Sequence, residues 1–175
     1  MHMPRRFDTA LMVPPEGQNA PDEALLHWLR SWCEGGAFPV LSEPLRIVNI
    51  APNAGLDTGL DAVACVLDGS HELARLGLWR GWLWRLQLLW RECVTGRGVR
   101  AEDPWDCGWW RDGAQDAAAS FQPRRATLLM VRESDPVRVA ELLSTLRAGS
   151  ASYAMPVRVL VMSGQLTQAL EASSR

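Results

Sequence analysis

The chain has 175 residues, 22% of them charged and 47% hydrophobic, with a formal net charge of -2 at pH 7. That balance suits one globular domain with a real core, and it excludes disordered, collagen-like and strongly basic nucleic-acid-binding classes. All eighteen basic side chains are arginine, which removes mechanisms built on a lysine Schiff base or a lysine general base.

Residues 1–20 contain Pro4, Pro14, Pro15 and Gly17 and read as a flexible N-terminal arm ahead of a single α/β domain over 21–175. Pro21 and Asp22 open an apolar stripe at Leu25, Leu26, Trp28, Leu29 and Trp32 that stops at Gly35 and Gly36, the pattern of a short amphipathic helix. Leu45 to Ala51 is a β-branched apolar run between prolines and predicts a buried strand. Asn53 to Gly59 is turn-rich, with a helix expected from about Leu60 to Leu67.

The longest expected helix runs from about His71 to Val94. Leu76, Trp79, Leu83, Leu86, Trp90 and Cys93 share one face, while Arg80, Trp84, Gln87 and Arg91 share another. One face is expected to pack on a sheet and the Trp/Arg face to be capped by this chain or left for a partner. Trp105 to Trp110 predicts a short strand. Ala126 to Val131 and Val157 to Met162 predict buried strands around a helix from about Val137 to Ala148, which Asp135 and Pro136 introduce. Gln165 to Ala172 fits a last helix. Strands alternating with helices require a mainly parallel sheet of about four or five strands in a three-layer α/β sandwich of P-loop-like or Rossmann-like topology.

The four cysteines (Cys33, Cys65, Cys93, Cys107) are far apart with no C-x-x-C pair and read as buried thiols of a reducing cytoplasm. No signal peptide is expected, and Arg75, Arg80, Arg85 and Arg91 interrupt the most apolar region, so no membrane span is expected either. The three histidines are scattered, so neither a metal nor a cofactor is expected. Ser70, His71 and Glu72 read as a helix start rather than a catalytic set, and Glu102, Asp103 and Asp106 as a solvated acidic loop.

Read in order, residues 22 to 163 resemble the core of the STAND proteins, signal-transduction ATPases of the P-loop class. The resemblance rests on LRIVNIAPNAGLDTGLDA (Leu45 to Ala62) as the strand and phosphate loop, and on Trp105, Asp106, Cys107, Gly108, Trp109 and Trp110 as a second strand. Phe121, Gln122, Pro123, Arg124, Arg125, Ala126 and Thr127 precede LLMV where the Walker B strand belongs, and Pro156, Val157, Arg158, Val159, Leu160 and Val161 match the sensor strand. A working phosphate loop reads G-x-x-x-x-G-K-S/T. Here Ala51 or Ile50 stands at the first glycine, Leu56 or Asp57 at the lysine, and Arg132 at the Walker B aspartate, with Glu133 one residue beyond.

The resemblance therefore implies an NTPase fold without hydrolysis. The expected role is a non-catalytic regulatory or scaffold module in a bacterial signalling or conflict system, with a protein partner or self-association through Trp79, Arg80, Trp84, Trp90 and Arg91. The alternative is nucleotide binding without turnover at Asn53, Gly55 and Thr58, where helix-start amides receive an anion. Against it, the turn reads as a plain strand-to-helix connection capped by Asp57. The tetrads Arg100 to Asp103 and Arg132 to Asp135 are similar to the cyclic di-GMP inhibitory-site motif of GGDEF-type domains, a lesser alternative.

Overall fold

The protein was analysed as a computed structural model, which describes residues 8–17, 19–35, 43–53, 55–69, 104–132 and 135–163. Among the described residues five strands form one sheet: β1 (Met12–Val13), β2 (Leu45–Ile50), β3 (Asp106–Trp110), β4 (Thr127–Arg132) and β5 (Val157–Met162), in the spatial order β1-β3-β4-β5-β2. β3, β4, β5 and β2 run parallel, and β1 adds antiparallel to β3 through Met12–Trp110 and Val13–Trp109 pairs. Four helices accompany them among the described residues: α1 (Glu23–Glu34), α2 (Leu56–Leu67), α3 (Gln115–Ala119) and α4 (Pro136–Gly149).

The period-two alternation of the strands divides the core into two layers. Leu129, Val131, Val157, Val159 and Val161 pack with Val139, Leu142 and Leu146 of α4 and with Ala118 of α3. Leu128, Met130, Leu160 and Met162 turn the other way, onto Leu29 and Cys33 of α1 and Leu60, Val63, Ala64 and Leu67 of α2. The sheet is thus covered by helices on both faces, an α/β architecture consistent with a three-layer sandwich. This is why β4 and β5 are near-continuous apolar runs rather than alternating ones.

Local chemistry sets the helix ends. The Asp22 carboxylate accepts the Ala24 and Leu25 amides at 2.8 and 3.3 Å, and the Asp135 carboxylate accepts the Val137 amide at 3.0 Å ahead of Pro136. Both are side-chain caps on otherwise orphaned donors. α2 differs. It starts at Leu56, four residues before the expected Leu60, and its cap residue is Gly55 at φ 85° with no side-chain cap. Glycine reaches that left-handed conformation without a Cβ penalty, and so the helix begins without needing a polar cap.

The N-terminal arm expected over 1–20 wraps onto the fold where it is described. Leu11 and Met12 are fully buried, and a Cβ on Gly17 would lie 2.6 Å from backbone atoms of Asp61 in α2. Two apolar side chains entering the core and one glycine in close backbone contact make residues 8–17 part of the packed body. The helices expected over His71 to Val94 and Gln165 to Ala172 lie outside the described residues.

Candidate functional site

The carboxyl ends of parallel strands are where open α/β sheets place ligands, and the turn after β2 sits there. The Asn53 carbonyl accepts the Leu56 amide at 3.0 Å, and the Gly55 carbonyl accepts the Gly59 amide at 3.0 Å. The Thr58 hydroxyl also donates to the Gly55 carbonyl, at 2.8 Å. Asn53, Gly55 and Thr58 therefore meet in one exposed turn, and beyond its chain neighbours nothing lies within 4 Å of where a Cβ on Gly55 would stand. In this arrangement the Thr58 hydroxyl proton is already committed to the helix that carries it.

Asp57 does not cap the helix. Its carboxylate reaches across to the end of β4, where Oδ2 accepts a hydrogen bond from Arg132 Nε at 2.9 Å. The same guanidinium lies 3.9 Å over the ring of Trp109 on β3, and the indole Nε1 of Trp109 donates to Asp61 Oδ1 at 2.6 Å. Asp57 and Asp61 are four residues apart on α2 and so share a helix face. One face of α2 thus holds both ends of an Arg132–Trp109 stack. The ion pair is about half exposed, 54% for Arg132 and 44% for Asp57, so it stabilises the fold by roughly 1 kcal/mol or less; the cation–π contact adds about 0.5–1 kcal/mol.

The pairing also splits the Arg132 to Asp135 tetrad between two tasks. Arg132 binds Asp57, while Asp135 caps α4 and forms an ion pair with Arg138 at 3.4 Å. Asp106, expected in a solvated acidic loop, is instead buried at 7% exposure and paired with Arg125 at 3.8 Å. The first residue of a strand paired with β4 cannot stay in solvent. Trp79, Arg80, Trp84, Trp90 and Arg91 lie outside the described residues, as do His71, Arg100, Glu102, Asp103 and Glu133. Among the described residues no cluster of His, Cys, Asp and Glu has the makings of a metal site.

Arg158, one of the six residues of the sensor-strand resemblance, stands at the opposite, amino end of the sheet. It is fully buried. Its Nε donates to the Cys33 carbonyl at 3.0 Å, Nη2 to Gly35 at 2.7 Å, and Nη1 to Glu43 at 3.0 Å and Val157 at 3.2 Å. α1 has no basic residue in its last turn, so Arg158 supplies from β5 the cation and the donors that the helix end lacks. Arg46, its register partner on β2, adds a 3.4 Å bond to the Trp32 carbonyl. Burial, and next the neighbouring Arg46 charge, lower the Arg158 pKa from its usual value.

Cys33, Cys65 and Cys107 are free and buried. Desolvation pushes the Cys33 thiol up to about 12, outweighing the opposing pull of Arg158. It raises Cys65 and Cys107 as well. A thiol so shifted is almost entirely protonated at neutral pH and is no nucleophile. Cys93 lies outside the described residues.

Comparison of the chain with protein-family models, curated proteins and solved structures gives no match. Among the described residues no helix is long and apolar enough to cross a membrane.

Proposed function

We propose that this domain is a non-catalytic, NTPase-like module that works through its surfaces, as a regulator or scaffold of protein assembly in a bacterial signalling or conflict system of the cytoplasm. One observation carries the reading: the Asp57–Arg132 ion pair. In support of it, β2, Gly55 and α2 follow one another as a strand, a glycine turn and a helix, the order that a phosphate loop takes. Yet the lysine's place, read as Leu56 or Asp57, holds no cation, and the place of the magnesium-organising aspartate holds the Arg132 guanidinium. Paired with each other, Asp57 gives the β- and γ-phosphates no cation on the loop and Arg132 gives magnesium no carboxylate, so neither half of phosphoryl-transfer stabilisation is supplied. Trp79, Arg80, Trp84, Trp90 and Arg91 remain the proposed partner surface on sequence grounds, being the side-chain types that dominate binding hot spots.

Purified protein incubated with magnesium and ATP or GTP is expected to release no phosphate above the buffer rate. Turnover that disappears on Asp57→Ala overturns the reading. Nucleotide binding without hydrolysis, at Asn53, Gly55 and Thr58, is supported by a different aspect of the same pair: Arg132 brings a cation to the first turn of α2, where the local sequence has none. Calorimetry with ATP, GTP and cyclic di-GMP distinguishes this second reading, since saturable heat lost in Arg132→Gln supports it and its absence at millimolar ligand dismisses it.

A further inference from the structure

The ion pair at the carboxyl end of the sheet is only half used. Arg132 engages Asp57 through Nε alone, and both terminal nitrogens have no hydrogen-bond partner among the described residues. Asp57 accepts through Oδ2, and its Oδ1 is equally unengaged. The guanidinium carbon lies 3.9 Å over the Trp109 ring, a contact that, with the Nε bond to Asp57, restricts the head group. Its free edge is therefore oriented as a two-donor fork at little further entropic cost. A fork of that kind matches a carboxylate, and a carboxylate oxygen waits beside it. Val137, in the first turn of α4 just beyond this end of β4, is 66% exposed and adds apolar surface to the same rim.

A patch that carries its own complement fits a second copy of itself, because a two-fold axis brings residue i of one molecule to residue j of the other and the reverse. We propose that this rim is a self-association surface, on which the Arg132 fork of each protomer receives the Asp57 carboxylate of its partner across a two-fold axis. Four charges then alternate in a ring, with each Arg132 bridging its own Asp57 and its partner's. The inference adds a self-association surface to the partner surface proposed at Trp79, Arg80, Trp84, Trp90 and Arg91, and it rests on the assembly reading. It fails separately from that reading, since an inactive monomer contradicts this surface but not the absence of catalysis.

Sedimentation velocity on the full chain at low ionic strength, over a concentration series from micromolar upward, tests it. The wild type is expected to dimerise, and more weakly as salt screens the exposed charges. Arg132→Asp and Asp57→Arg are each expected to weaken the dimer by about tenfold or more, because like charges then face each other. An equimolar mixture of the two variants restores a dimer, now a heterodimer, because one protomer carries two carboxylates and the other two guanidinium groups. Should either charge reversal fail to fold by circular dichroism, Arg132→Gln and Asp57→Asn read the same loss. A wild type that stays monomeric throughout the series, variants that dimerise undiminished, or a mixture of folded variants that stays monomeric overturns the proposal.

Discussion

Arg158→Met is expected to cost roughly 3–5 kcal/mol of folding free energy, a loss of the kind seen when one partner of a buried polar set is deleted. The methionine fills most of the volume, so little of this is cavity. The loss comes from the carbonyls of Cys33, Gly35 and Glu43, which surrender their donors at about 1–3 kcal/mol for each that water cannot reach. For a chain of this size the melting temperature falls by about 10 °C. Arg158→Lys recovers only part of that, because an ammonium has three donors around one point and cannot span carbonyls on α1, on the residues before β2 and on β5 together. Urea unfolding of the three proteins decides the matter. A methionine variant within about 1 kcal/mol of wild type shows that α1 ends without help from β5.

The parallel elements were legible because their patterns are local. LRIVNI, TLLMVR and VRVLVM are largely apolar runs of six residues, and each is a strand within one residue of the expected bounds, although LRIVNI, expected to be buried, is only half-buried because it is the last strand in the sheet order. Asp22 and Asp135 announce helices that their carboxylates do cap. The start of α2 was missed because the residue that begins it, Gly55, signals a turn in sequence as strongly as it signals a cap. β1 has two residues, too few for any periodicity, and takes its strand character from pairing with β3. The five residues of α3 fall below the length at which helical spacing declares itself.

The site was only half legible, for a reason of distance. Asp57 reads locally as a cap and Arg132 as a misplaced basic residue, and 75 positions separate them. Only the parallel sheet, by setting the ends of β2 and β4 at one edge, turns two apparent losses into one ion pair. Its contact with Trp109 was equally hidden, since nothing in WDCGWW distinguishes the tryptophan that packs under a guanidinium from its neighbour Trp110, which enters the core against α3 and α4. Arg158 had a signal that was read otherwise. An arginine in the second position of a strand whose other residues are all apolar points to a buried cation with partners, and α1 has no basic residue in its last turn.

Alkaline solution is expected to unfold the protein well before its backbone chemistry suffers. In the unfolded chain a cysteine ionises at its ordinary value of 9.0, whereas in the folded chain burial holds Cys33 protonated up to about 12. A folded pKa raised above the unfolded one contributes stability that is complete below the unfolded value and is lost as pH climbs through the window between them. For Cys33 that window runs from pH 9 to about 12, and each pH unit inside it removes about 1.4 kcal/mol. Cys65 and Cys107 are shifted in the same direction by the same cause and steepen the decline; Tyr153, raised from 10.0 by burial, joins above that pH. Unfolding free energies from urea titrations should therefore fall by at least about 2 kcal/mol between pH 8 and pH 10.5 in wild type, and Cys33→Ala removes that share of about 2 kcal/mol. The comparison uses the pH slope rather than absolute stability, so the small cavity left by alanine cancels. Equal slopes in the two proteins overturn the assignment and place Cys33 in contact with water.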